Sequence, residues 1–116
     1  MDQAGGAGDP ARAPEQAELC RRAGSELCRV RKYRAAAAKY SEGIRLAPAD
    51  HRLWSNRAVC SAALGDWPRC AQDALRATYL KPDSASSWLL LAKALWKDGM
   101  SAAAKSVLAG GPGKIT

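Results

Sequence analysis

Nowhere in its 116 residues does this chain hold the roughly 18 consecutive apolar residues that span a bilayer. Its first residues also lack the basic start and apolar run of a secretory signal. Both absences lead to the expectation of a soluble, cytoplasmic protein with no membrane partner. Histidine is nearly absent: His51 alone stands beside Asp50, where it reads as a cap or a solvated side chain. No nucleophile has a recognisable base or orienting partner, and there is no phosphate loop or paired-carboxylate pattern, so the chain does not read as an enzyme. Four cysteines, Cys20, Cys28, Cys60 and Cys70, match no zinc-ligand spacing, and three of them fall at apolar helix positions. They read as free, packed thiols, and no metal or cofactor is expected.

Acidic residues are the scarcer charge: eleven Asp and Glu stand against eighteen Lys and Arg, a formal net charge of +7. Three of those acids and only one base lie in the first sixteen residues, so the remainder carries +9. A basic surface favours acidic partners, among them an acidic peptide tail, a nucleic acid or an anionic membrane. The densest basic run, Arg29-Val30-Arg31-Lys32-Tyr33-Arg34, resembles a phosphate patch only weakly and reads better as cations near a helix C-terminus. Nucleic-acid binding would need exposed aromatics for stacking, whereas the aromatics here sit at core positions of a repeat.

That repeat is the strongest signal present. At an offset of 34 residues Trp54 recurs as Trp88, Gly65 as Gly99, Leu46 as Leu80, Tyr33 as Trp67 and Pro48 as Pro82. Fixed-period self-similarity of this kind marks a solenoid of stacked units. The periodicity predicts first helices near 17–30, 51–64 and 85–97 and second helices near 34–46, 68–80 and 101–109. Gly65 and Gly99 suit the left-handed end of a first helix, Pro48 and Pro82 follow second helices, and Pro68 fits a first turn. Asp50 and Asp83 or Ser84 can cap the helices that follow them. Residues 1–14, rich in Gly, Ala and Pro, are expected to be disordered. The folded part is expected over 15–108, divided 17–50, 51–84 and 85–108, with 109–116 a flexible Gly-rich tail.

The residues at these positions resemble the tetratricopeptide-repeat family. Gly24, Tyr33, Ala36, Tyr40, Ile44, Leu46 and Pro48 carry the resemblance in the first repeat. Trp54, Ala58, Gly65, Trp67, Cys70, Ala74, Ala77, Leu80 and Pro82 carry it in the second, and Trp88, Leu91, Ala92, Leu95, Gly99 and Ala104 in the third. The resemblance implies an all-α, right-handed superhelical solenoid of three helix-turn-helix repeats, and a non-enzymatic role as a co-chaperone or adaptor. Arrays of this family usually end in an additional helix with a polar exterior, whereas this sequence closes on Gly-Gly-Pro-Gly. The expectation is a fragment of something longer, or a partner that covers Trp96, Val107 and Leu108.

Members that hold the acidic C-terminal tails of heat-shock chaperones use a clamp of Lys, Asn and Arg around the terminal carboxylates, matching amide and cationic donors to an anion. Carried over by position, the first-repeat Lys and Asn fall on Arg21 and Ser25, and the second-repeat Asn is present as Asn56. The third-repeat Lys and Arg fall on Ser86 and Leu90, so two cationic donors are missing. At about 1.5–3 kcal/mol for a charged hydrogen bond, that loss is expected to weaken a chaperone-tail grip on the order of a hundredfold or more. Lys93 and Lys97 on the same helix are partial substitutes. The peptide-binding set is therefore Arg21, Ser25, Asn56, Arg57 and Lys93, with an acidic or C-terminal peptide as ligand in a basic concave groove. Two other functions stay open: a structural array that docks or self-associates through its uncapped C-terminal face, and a basic nucleic-acid-binding module.

Overall fold

The computed structural model describes residues 10–110. Among these the chain forms a 3₁₀ turn at Pro10–Arg12 and helices α1 (Ala13–Arg29), α2 (Tyr33–Leu46), α3 (His51–Ala63), α4 (Trp67–Leu80), α5 (Ala85–Lys97) and α6 (Ser101–Ala109), with no strand. Most of the expected N-terminal segment and of the Gly-rich tail lies outside the described residues. Five helices match their expected bounds to within a residue. The exception is α1, which starts at Ala13 and not near 17, so that Ala13 and Pro14 are helical. Pro14 lies in the first turn, where its missing N–H leaves nothing unpaired, and Glu15 complements the positive end of the helix.

Turn chemistry then folds the helices into pairs. Gly65 (φ 79°) and Gly99 (φ 85°) take the left-handed conformation that ends α3 and α5. Arg31 (φ 65°) occupies the corresponding bend of the first pair at a steric cost that glycine avoids. Asp50 and Asp66 cap α3 and α4, accepting from the backbone N–H of Arg52 at 3.1 Å and of Arg69 at 3.3 Å. The expected cap of α5 does not form. Ser84 precedes that helix, but its hydroxyl bonds those of Ser86 and Ser87 and no backbone N–H.

Each helix packs on the next in chain order, and α1, α3 and α5 also touch across the repeats. The result is an extended array, with a radius of gyration of 15.3 Å against about 13 Å for a compact domain of this length. Two core clusters fill it. Ala36, Tyr40, Ile44, Leu53 and Cys60 join the first two pairs, with Tyr33 and Trp54 at the margin. Ala58, Cys70, Ala74, Leu91 and Ala94 join the last two, flanked by Trp67 and Trp88. Alanine brings helix axes close but buries little area, so the fully covered Tyr40 and Leu53 supply a large share, about 1.5–3 kcal/mol for a leucine-sized side chain. At Gly24 an added Cβ would lie 2.6 Å from the Tyr40 ring, which is why this position carries no side chain.

The recurring Trp and Pro form one device. The indole N–H of Trp54 donates to the Pro48 carbonyl at 2.8 Å, and that of Trp88 to the Pro82 carbonyl at 2.7 Å, each pinning a loop to the helix that follows. In the first repeat Cys20 takes this register, and its thiol donates to Glu42 at 3.6 Å. All four cysteines are free, with Cys60 and Cys70 buried. Burial pushes the Cys60 thiol up to about 12 and the Cys70 thiol up to about 11.

Candidate functional site

Helices α3 and α5 stand one repeat apart and leave a hollow of about 410 Å³ between them. Asn56 on one wall and Lys93 on the other both line it, together with Ser55 and Ser86. Val59, Leu89 and Leu90 supply an apolar stretch. Asn56 is half-buried, and among the described residues its amide has no hydrogen-bond partner. Lys93 has no carboxylate partner among the described residues, and its ammonium lies 5.9 Å from the centre of the Trp67 ring. Lys97 stacks over the same ring at 6.0 Å. A hollow that offers an amide, an ammonium and hydroxyls beside apolar side chains suits an extended chain carrying a carboxylate next to an apolar residue.

Arg21 and Ser25 lie on α1, outside this hollow. Arg21 is engaged: its guanidinium donates to both carboxylate oxygens of Glu18, at 2.9 and 2.6 Å. Glu18 also accepts from Arg22 at 3.4 Å and from Arg52 on α3 at 3.2 Å, and Arg52 in turn holds Asp50 at 2.8 Å. The Arg21 hydrogen bond is the largest of the causes that hold the Glu18 carboxyl at about 2. The Ser25 hydroxyl sits 3.2 Å from that of Tyr40, whose own ionisation burial pushes up to about 12.

Arg57 departs from its expected place. It is not in the lining of the α3–α5 hollow but forms a two-pronged ion pair with Asp73 of α4, at 2.9 Å on each arm, and donates to the Ser41 hydroxyl of α2 at 2.9 Å. Asp73 is almost fully buried, so Arg57 answers an interior charge and ties three helices together. Position alone could not reveal this, because Asp73 comes close only when α4 packs back against α3. His51 also departs from its reading: Asp50 is the cap, while the Nδ1 atom of His51 is buried with no hydrogen-bond partner among the described residues.

The residues that sequence reasoning passed over in the groove are Ser55, Val59, Ser87 and Leu89. One signal was present, since α5 carries Trp88-Leu89-Leu90-Leu91 in succession and a helix cannot turn four consecutive residues to one core. Leu89 is accordingly 60% exposed, and with Trp96, Met100 and Leu108 it leaves apolar surface open along α5 and α6.

No protein-family model matches the chain. The Hsp70-Hsp90 organizing protein of Triticum aestivum is 39% identical over 69 residues, which are 60% of this chain and 12% of that protein, so the chain spans about an eighth of that relative. Among solved structures, the second TPR of Spaghetti bound to the HSP90 peptide SRMEEVD superposes with a TM-score of 0.81 at 21% identity, covering 86% of this chain and 92% of that one. The TPR2AB domain of yeast Sti1 in its pHSP90 complex gives a TM-score of 0.80 at 31% identity, covering 85% of this chain and 40% of that one. The 34-residue period, the three helix pairs stacked in chain order and these likenesses lead to one conclusion: the chain has the all-α solenoid fold of tetratricopeptide-repeat domains.

Proposed function

We propose that this domain is a non-enzymatic, co-chaperone-like interaction module that binds an acidic C-terminal peptide of the Hsp90 type on its first-helix face. The observation that carries the reading is the pair of unoccupied donors, Asn56 and Lys93, facing one hollow from adjacent repeats. The similarity to Sti1 and to the Hsp70-Hsp90 organizing protein supports it. The clamp is degenerate. Asn56 and Lys93 hold the terminal carboxylate, Arg21 and Ser25 wait further along at α1, and Arg57 acts by fixing α3 against α4. Leu89, Leu90 and Val59 replace cationic contacts with apolar ones, so an apolar residue next to the carboxylate contributes more of the affinity than a second acid does.

A backbone-amide NMR titration with the peptide SRMEEVD tests this. Shifts are expected at Ser55, Asn56, Ser86 and Lys93, with weaker ones at Arg21 and Ser25. Asn56→Ala should weaken binding about tenfold, the value of one hydrogen bond to a charged group. Amidation of the peptide C-terminus should weaken it at least as much. An absence of shifts at millimolar peptide would overturn the reading.

A further inference from the structure

A second hollow, of about 320 Å³, lies on the other side of the array between α2, α3 and α4. That volume is room for on the order of ten waters. Its lining includes three arginines, one from each helix: Arg34, Arg57 and Arg69. Alanines of α2 keep the wall low, and Ser41 adds a hydroxyl already fixed by Arg57.

The three arginines are not equivalent. Arg57 is matched to Asp73 and forms a rigid floor. Arg34 and Arg69 are exposed, and among the described residues neither guanidinium has an ion-pair or hydrogen-bond partner. Each occupies the first turn of its helix, where the helix dipole disfavours a cation and favours an anion. Neither helix carries an acid in that turn, and Lys32, which precedes α2, provides no side-chain cap. The one carboxylate in the lining, Asp66, is committed to capping α4. Two unpaired guanidiniums and the α2 N-terminus, which has no side-chain cap, thus concentrate positive potential in a hollow whose one lining carboxylate, Asp66, sits on the N-terminus of α4.

We infer that this hollow binds a phosphate monoester, carried on a phosphorylated serine or threonine of a partner chain. A phosphate monoester offers three strong acceptor oxygens to the two free guanidiniums, where a carboxylate offers two. The planar guanidinium fork matches phosphate oxygens in pairs. The lining contains no aromatic side chain on which a base could stack, which sets a nucleic acid aside. This site is independent of the α3–α5 groove, because the two linings share no residue.

The test is an amide NMR titration of the whole chain with three probes: inorganic phosphate, a blocked phosphoserine tripeptide and the same tripeptide with glutamate. The expected result is saturable shifts at the starts of α2 and α4 and at Ser41, stronger for phosphoserine than for glutamate and reduced by added salt. Arg34→Gln with Arg69→Gln should reduce affinity at least about tenfold while thermal unfolding stays unchanged or rises slightly. Phosphoserine binding tighter than inorganic phosphate assigns the source to a phosphorylated chain, and equal binding by the two assigns it to free phosphate. Undiminished binding by the double variant, equal binding of the glutamate tripeptide, or shifts confined to Asn56 and Lys93 would overturn the inference.

Discussion

Each of the two faces of this solenoid holds cations of two kinds, those the fold has paired and those it leaves open. On the first-helix face Arg21 and Arg52 are consumed by Glu18 and Asp50, and Asn56 and Lys93 stay open one repeat later. On the second-helix face Arg57 is consumed by Asp73, and Arg34 and Arg69 stay open. A cation's contribution depends on whether the fold has already given it a counter-charge. A paired cation braces the array, and an unpaired one is available to a ligand. The net charge of the chain records neither condition.

The contrast breaks most severely at Arg57. Arg57→Ala leaves the Asp73 carboxylate buried without its partner, and should cost about 3 kcal/mol or more of unfolding free energy in urea or thermal melts. Arg34→Gln, on the same face, should leave stability within about 0.5 kcal/mol. Equal stability of the two variants would remove the distinction between brace and free cation.

The contrast sharpens at Glu18. Glu18→Gln removes the charge that occupies Arg21, transferring it to the open class, while Arg52 keeps its pair with Asp50. Affinity for the acidic peptide is expected to rise several-fold by calorimetry, with a steeper dependence on salt. Unchanged affinity would mean that Arg21 does not reach the ligand.

The smallest expected effect is on the acid side. Because the folded Glu18 carboxyl is held at about 2 against an ordinary value of 4.5, its contribution to stability is complete above 4.5. That contribution is lost as pH falls from 4.5 through about 2. Exposure to solvent keeps its size modest. Carboxyl-carbon NMR should place the Glu18 midpoint near 2, and Arg21→Gln should move it up towards the ordinary range. A midpoint near 4.5 in the unaltered chain would dissolve the Glu18 network.

Much of the architecture was legible because it depends on local chemistry repeated at a fixed interval. The glycine ends at 65 and 99, the cap at Asp50 and the recurring Trp and Pro positions are decided within a few residues of chain, and the 34-residue period multiplies the signal. Where two local rules competed, reading was harder. Pro14 falls in a segment whose composition reads as disordered and yet stands in the first turn of a helix, and the Ser84 hydroxyl prefers its neighbours' hydroxyls to a backbone N–H. For the groove, Asn56 and Lys93 could be placed on successive first helices by register alone, whereas the fate of Arg57 could not.

By itself the sequence determined that this chain is a three-pair helical repeat, because periodicity, turn residues and capping are properties of neighbours along the chain. Only the tertiary structure decided which cations are free. Asp73 meets Arg57 across sixteen residues and Glu18 meets Arg52 across thirty-four, and the hollow shared by Arg34 and Arg69 exists only where α2, α3 and α4 come together. Coulomb interactions act through space, and the distances that set them come from packing.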